Sequence, residues 1–302
     1  MNSFREKVIE QNKVKSELEK IILSRRVPHA FIFNGQEGVG KFNTAIQFIK
    51  EFITNYNDES ILKKYEELQE PYIKLIFPMP RAKNEQADDS PLDKLSKEQL
   101  KELQEKIFEK SKNPYIPFLI ENANQIRINS IRDIKKFSNL SSKDLPRFVI
   151  IIDAHLMNEQ AQNALLKTLE EPPSDIYLIL ITTNLESLLT TVQSRCRIIN
   201  FEPLSEHAVS EILIKYFEIS DKLAKNVSKF SFGSFTQALK LANYELDKML
   251  ELTIDFLRNA FTMNRYFSAS NNLKIFLEEF GEEQIPFFIN LVKLWLIDAI
   301  RN

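Results

Sequence analysis

Ala30-Phe31-Ile32-Phe33-Asn34-Gly35-Gln36-Glu37-Gly38-Val39-Gly40-Lys41-Phe42 is the stretch on which the reading of this chain turns. Its first five residues form a short apolar run of strand type, and after Lys41 the residues Ala45, Phe48, Ile49 and Phe52 recur at helical spacing. Between them lies a glycine loop with the spacing GxxxxGK. Three of the chain's five glycines, Gly35, Gly38 and Gly40, fall in this loop. Average usage of about 7% would give roughly twenty glycines in a chain of this length. Strand, glycine loop and helix are the setting of a phosphate-binding loop. There, glycines let successive amides face phosphate oxygens, the helix start adds positive potential, and the lysine reaches the β and γ phosphates. The fold class that follows is α/β, with a parallel sheet and flanking helices.

The position after the lysine normally carries Ser or Thr, whose hydroxyl ligates the magnesium bridging nucleotide phosphates. Here it is Phe42, and a phenyl ring cannot hold magnesium. Two uses of the loop stay open: a degenerate nucleotide site with ATP as its ligand, or a tight strand-to-helix turn packed in the core. Both preserve the fold.

Further along, Arg147-Phe148-Val149-Ile150-Ile151-Ile152-Asp153 is a continuous apolar run ending in an acid, as expected of a parallel strand covered on both faces. Asp153 stands where a Walker B aspartate would, or serves as a strand-end cap. In working ATPases an acid follows and orients the attacking water, but Ala154 and His155 follow here. Asn158 is a natural N-cap for a helix whose face is Ala161, Ala164, Leu165, Thr168 and Leu169 and which Pro172-Pro173 stop. The run Tyr177–Ile181 predicts another strand, ending in Thr182-Thr183-Asn184. Asn184 is placed either to touch a γ-phosphate or to cap the next turn. Ser194-Arg195-Cys196 then leads into a last strand over Ile198 to Phe201.

Forty basic against 42 acidic side chains leave a net charge of −2, so the chain has no bulk basic field for polyanions. A solitary DNA-binding protein is disfavoured, and contact with nucleic acid would be local or shared with partners. One cysteine and three scattered histidines, His29, His155 and His207, imply no disulfide and no metal site. The charged start and the lack of a long apolar run predict a cytoplasmic protein with no membrane association.

Pro28-His29-Ala30, the glycine loop, the run Met157 to Pro173 and Ser194-Arg195-Cys196 together resemble the AAA+ clamp-loader family, over residues from about 1 to 240. The resemblance implies an AAA+ P-loop domain, a helical lid and an all-helical C-terminal collar. It also implies that Arg195, within its Ser-Arg-Cys motif, acts as an arginine finger on ATP held by a neighbouring subunit. A guanidinium there stabilises charge on the γ-phosphate, an effect worth about 10³ to 10⁵ in rate in related systems. Without the family, an arginine just before a strand more often makes a surface ion pair. Motor members carry a sensing arginine after a Gly-Ser pair in the lid. The matching stretch here begins Gly233-Ser234, and Gln237 takes the arginine's place.

With Phe42, Ala154 and Gln237 each replacing an ATPase residue, the resemblance implies a stator-like subunit with no catalysis of its own. No cofactor is required on this reading. The implied partners are gamma/tau-type motor subunits, a delta-type clamp opener and, through the complex, the sliding clamp and primer-template DNA. The alternative is an active AAA+ motor subunit that hydrolyses ATP itself. Many bacterial relatives carry a four-cysteine zinc module that this chain cannot form. Its region, about 55–112, reads as a solvated helical insertion with a strand candidate at Ile73–Phe77, a polar loop from Pro78 to Pro91 and a helix from Ser96 onward with Glu and Lys at i,i+4 spacing. The expected domains are 1–203 for the α/β fold, 204–242 for a three-helix lid and 243–302 for the collar. Family collars run longer, which would make this chain a shortened one.

Overall fold

The computed structural model describes residues 2–54, 59–68, 70–80, 92, 95–140, 145–173, 175–262 and 265–301. The chain divides into two compact units, Met1–Leu204 and Ser205–Asn302. In chain order the first unit contains α1 (Asn2–Lys7), α2 (Asn12–Leu23), β1 (Ala30–Asn34), α3 (Lys41–Ile53), α4 (Glu59–Glu66) and β2 (Ile73–Ile76). It continues through α5 (Lys97–Lys112), α6 (Ile128–Ser138), β3 (Arg147–Ile151), α7 (Glu159–Glu170), β4 (Ile176–Thr182), α8 (Thr190–Gln193) and β5 (Arg197–Asn200).

The five strands form one parallel sheet in the order β2-β3-β4-β1-β5. Crossovers by helices are obligatory between parallel strands, and they cover both faces, which is why β1 and β3 read as unbroken apolar runs. The two faces differ because side chains alternate along a strand. On one face Phe31, Phe148 and Tyr177 meet α3: Phe31 and Phe48 have ring centroids 5.2 Å apart, and Phe52 lies 5.8 Å from Phe148 and 5.1 Å from Tyr177. The other face is aliphatic. There Ile32, Val149, Ile151, Leu178 and Leu180 pack against Ile131, Ile134 and Phe137 of α6 and Ala161, Leu165 and Leu169 of α7.

The strand candidate at Ile73–Phe77 is β2, and it joins the main sheet as an edge strand beside β3, so residues 55–112 are not helical throughout. Nor is α5 a wholly solvated helix. Its capping box at Ser96 and Gln99 starts it as the sequence predicts, but Leu103 and Lys110 are buried against the rest of the unit. The expected loop from Pro78 to Pro91 lies outside the described residues beyond Pro80. The sequence reading also passed over α6, whose apolar face closes one side of the sheet.

The second unit is helical: α9 (Glu206–Phe217), α10 (Asp221–Ser228), α11 (Phe235–Ala242), α12 (Leu246–Ala260), α13 (Tyr266–Phe280) and α14 (Ile285–Arg301). Its first three helices pack on one another around Val209, Ile212, Leu213, Ala224, Val227, Ala238 and Leu241. Gly233 has φ +78, and Ser234 caps α11 by accepting from the Gln237 amide at 3.2 Å. The last three helices share an aromatic cluster in which Phe276 and Phe256 both lie against Phe288, at 4.9 and 5.1 Å. The segments expected as lid and collar thus fall within one compact unit.

Candidate functional site

In open α/β sheets, functional loops gather outside the carboxyl ends of the strands, and the glycine loop follows β1 at that end. It is stitched to its neighbours by the Gly35 amide, which donates to Thr182 O of β4 at 3.3 Å, and by the Phe201 amide, which donates to Asn34 O at 2.7 Å. Gly35 is dictated by space, since a Cβ there would lie 2.8 Å from Phe201 O. Gly40, at φ +86, is the left-handed N-cap residue of α3, and its carbonyl accepts from both the amide and the hydroxyl of Thr44. Gln11 braces the loop from outside, with its side-chain amide donating to Glu202 O at 2.7 Å and Val39 O at 3.4 Å.

Lys41 is buried and turns back on its own loop, where Nζ donates to Gly35 O at 2.5 Å and Gln36 O at 2.6 Å. Burial pulls its ammonium down to about 8, against the attraction of Asp153 and Glu37. Phe42, at the position of the metal-binding hydroxyl, is buried, and the ammonium of Lys110 lies 4.5 Å from its ring centroid. Lys110 comes from the last turn of α5 and donates to Ile116 O. Burial pushes it down to about 7, with Asp153 again opposing. Just beyond, Tyr115 packs beside Gly40, where a Cβ would sit 3.6 Å from its ring, and its hydroxyl accepts from Asn43 Nδ2 at 2.9 Å. The segment that ends α5 therefore closes over the start of α3.

Asp153 follows β3 in a left-handed conformation, φ +53. Burial raises its carboxyl, and the charges of His155, Lys41 and Lys110 work against that rise. Burial likewise lowers His155, whose Nε2 lies 3.4 Å from Thr183 Oγ1, while its buried Nδ1 has no hydrogen-bond partner among the described residues. The ends of β1, β3 and β4 thus bring Gly35, Gly38, Gly40, Lys41, Asp153 and His155 into one cluster. Asn184 stands exposed just past β4, and its amide donates to Thr182 Oγ1 at 3.1 Å. Lys41 lies in the field of both Asp153 and Glu37, Lys110 in that of Asp153, and Phe42 offers no hydroxyl.

Arg195 lies elsewhere. It precedes β5, and the register pairs Arg197 with Phe31 near the start of β1, whereas the glycine loop begins after Asn34 at the strand's other end. Glu170, its ion-pair partner, follows Leu169, whose carbonyl oxygen is 3.1 Å from His29 Nε2, again at the start of β1. Arg195 and the glycine loop therefore occupy opposite ends of one sheet, roughly 15 Å apart along strands rising about 3.3 Å per residue. The guanidinium is exposed; Nη1 donates to Thr191 O at 3.0 Å and Nη2 to Glu170 Oε1 at 2.8 Å. Ser194 is exposed, and Cys196 is half-buried, its thiol pushed up to about 12 by burial.

Lys110, Tyr115, Gln11 and Glu170 escaped sequence reasoning. The Lys-rich pattern of α5 resembles a solvated face, and nothing local in the sequence marks one lysine as buried. Among the described residues, no group of three or more His, Cys, Asp or Glu is arranged to hold a metal, and no helix is long and apolar enough to cross a membrane.

Residues 10–205 match the family described as DNA polymerase III, delta subunit. The chain belongs to this family. It is 27% identical to the DNA polymerase III subunit delta' of Bacillus subtilis over 245 residues, 77% of this chain and 60% of that protein. To the subunit delta' of Escherichia coli it is 27% identical over 180 residues, 59% of this chain and 52% of that protein. To the subunit gamma of Buchnera aphidicola subsp. Schizaphis graminum it is 31% identical over 133 residues, 42% of this chain and 37% of that protein. The chain thus spans between 37% and 60% of the length of these relatives. The resemblance to clamp loaders carried by Asn158–Pro173 and Ser194–Cys196 is borne out at the level of the family.

Proposed function

We propose that this chain is a stator-like, delta-prime-type subunit of a bacterial clamp loader, and that it supplies Arg195 to ATP bound on a neighbouring motor subunit. The observation that carries this reading is the placement of Arg195. It stands exposed at the end of the sheet opposite its own glycine loop, so it is badly placed to serve that loop and free to face another subunit. A guanidinium beside a γ-phosphate stabilises the negative charge that grows there during transfer.

The glycine loop supports the same division of labour. Phe42 offers magnesium no oxygen, Lys110 sets an ammonium beside that ring, and Lys41 spends two of its three donors on carbonyl oxygens of its own loop. Ala154 supplies no carboxylate to orient water. These residues do not fit a magnesium-nucleotide, and no step of hydrolysis is assigned to them. The chain's partners on this reading are gamma/tau-type motors and a delta-type clamp opener, with the sliding clamp and primer-template DNA reached through the complex. It works in the cytoplasm.

The similarity to gamma subunits favours a second reading, an active ATPase motor. The two readings diverge at Phe42, Ala154 and Gln237. The test is reconstitution with motor and clamp-opening subunits. Arg195→Ala is expected to leave assembly intact while sharply depressing the ATPase rate of the complex, and an unchanged rate refutes the finger role.

A further inference from the structure

We propose that Glu170 is a positioning residue for Arg195. The proposal rests on the trans-acting role of Arg195 given above. Arginine carries five N–H donors in a planar fork. Thr191 O holds one at 3.0 Å and Glu170 Oε1 another at 2.8 Å, which fixes the plane of the guanidinium and leaves three donors for an incoming anion.

Both supports are built on braced elements. Glu170 ends α7, whose Ala161, Leu165 and Leu169 are buried in the core and whose start is capped by Asn158, which accepts from the Ala161 amide at 2.8 Å. Pro172-Pro173 then prevent the helix from continuing. Thr191 lies in α8, anchored by the fully buried Val192. The two helices are cross-linked by buried Gln162, whose side chain accepts from the Leu189 amide at 2.7 Å and donates to Ser187 O at 3.1 Å. The distance between the carboxylate and the arginine's own backbone is therefore set by packing rather than by two free side chains.

The charge is also out of keeping with local stability. A carboxylate at the last residue of a helix opposes the helix dipole, and Glu171 adds a second negative charge beside it. An exposed ion pair contributes little to folding. Glu170 at this place serves the orientation of Arg195. Holding a long, exposed arginine in one rotamer family before a partner docks removes part of the ordering cost at the moment of catalysis.

The experiment uses the reconstituted complex with its motor subunits, clamp and primer-template DNA, and measures kcat and KM for ATP. Glu170→Ala should lower kcat roughly three- to fivefold with KM unchanged, the size of effect an exposed ion pair can exert. Glu170→Gln, whose amide oxygen still accepts from the guanidinium, should retain most of the activity. Glu170→Ala added to Arg195→Ala should cost nothing further. If Glu170→Ala leaves kcat unchanged or raises it while Arg195→Ala depresses it, positioning by Glu170 is overturned and the finger role stands. If Arg195→Ala itself has no effect, both fall.

Discussion

The ammonium of Lys110 lies 4.5 Å from the ring centroid of Phe42, and the two residues come from separate helices, α5 and α3. Phe42 occupies the position at which a phosphate loop presents its metal-binding hydroxyl, so the pair puts a cation over an aromatic face where that hydroxyl would stand. Half-buried Asp153 attracts both Lys110 and buried Lys41. The loop keeps its backbone curl, and Lys41 turns its ammonium back onto the carbonyl oxygens of Gly35 and Gln36.

Stability should depend on pH through this cluster. Burial holds Lys110 near 7 and Lys41 near 8, against 10.5 for a free lysine. Between the folded and unfolded values the unfolded chain binds more protons, so the contribution of these two lysines is lowest below about pH 7 and rises as pH climbs toward the free-lysine value. Thermal melts at about pH 6.5 and about pH 9 should show Tm rising by several degrees. Lys110→Met should flatten the lower part of that rise and leave the part belonging to Lys41. An unchanged slope would exclude Lys110 as its source.

The isolated protein should show no magnesium-dependent ATP hydrolysis, and Phe42→Thr should not create it, because restoring a hydroxyl leaves Ala154 without a carboxylate. Steady-state phosphate release is the measurement. Hydrolysis that disappears in Lys41→Ala would sink the stator reading.

Gly35→Ala should destabilise the α/β unit by about 1–3 kcal/mol, the usual range for forcing an atom into a packed site. The added Cβ would press on the Phe201 carbonyl, which is backbone and cannot swing aside. Urea unfolding reads the loss directly, and a neutral result would mean that β5 shifts freely against the loop.

Arg147 is buried at the start of β3. It donates to Asp175 at 2.6 Å and to the carbonyl oxygens of Phe137, Leu140 and Ser138 at 2.8, 2.8 and 3.1 Å. Arg147→Met should cost about 3 kcal/mol, at the low end for breaking a buried pair because Asp175 is partly exposed. Chemical denaturation should report it, with the α6 end of the sheet losing hydrogen-exchange protection first.

Much of the α/β unit was legible in the residues themselves because its signals are local. An apolar run of β-branched and aromatic residues, Phe148 to Ile152, names a buried strand. Glycines at Gly35, Gly38 and Gly40 name a loop whose backbone L-residues resist, and Asn158 and Ser96 name helix starts through hydrogen bonds made within three residues. What sequence reading lacked was α6, whose role depends on the sheet it covers, and the place of β2 at the sheet edge beside β3, which strand pairing alone decides.

By itself, then, the sequence determined the parallel α/β fold, the phosphate-loop backbone, the presence of Phe42 after its lysine and Ala154 after Asp153, and the family. Those properties reside in residue types at short spacings, and short-range sterics and hydrogen bonding suffice to specify them. Tertiary structure alone decided that Lys110 and Tyr115 close over the start of α3, that Glu170 meets Arg195, and that Arg195 and Lys41 stand at opposite ends of the sheet. Those relations join residues far apart in the chain, and they exist only once the strands have paired in register and the helices have buried their apolar faces.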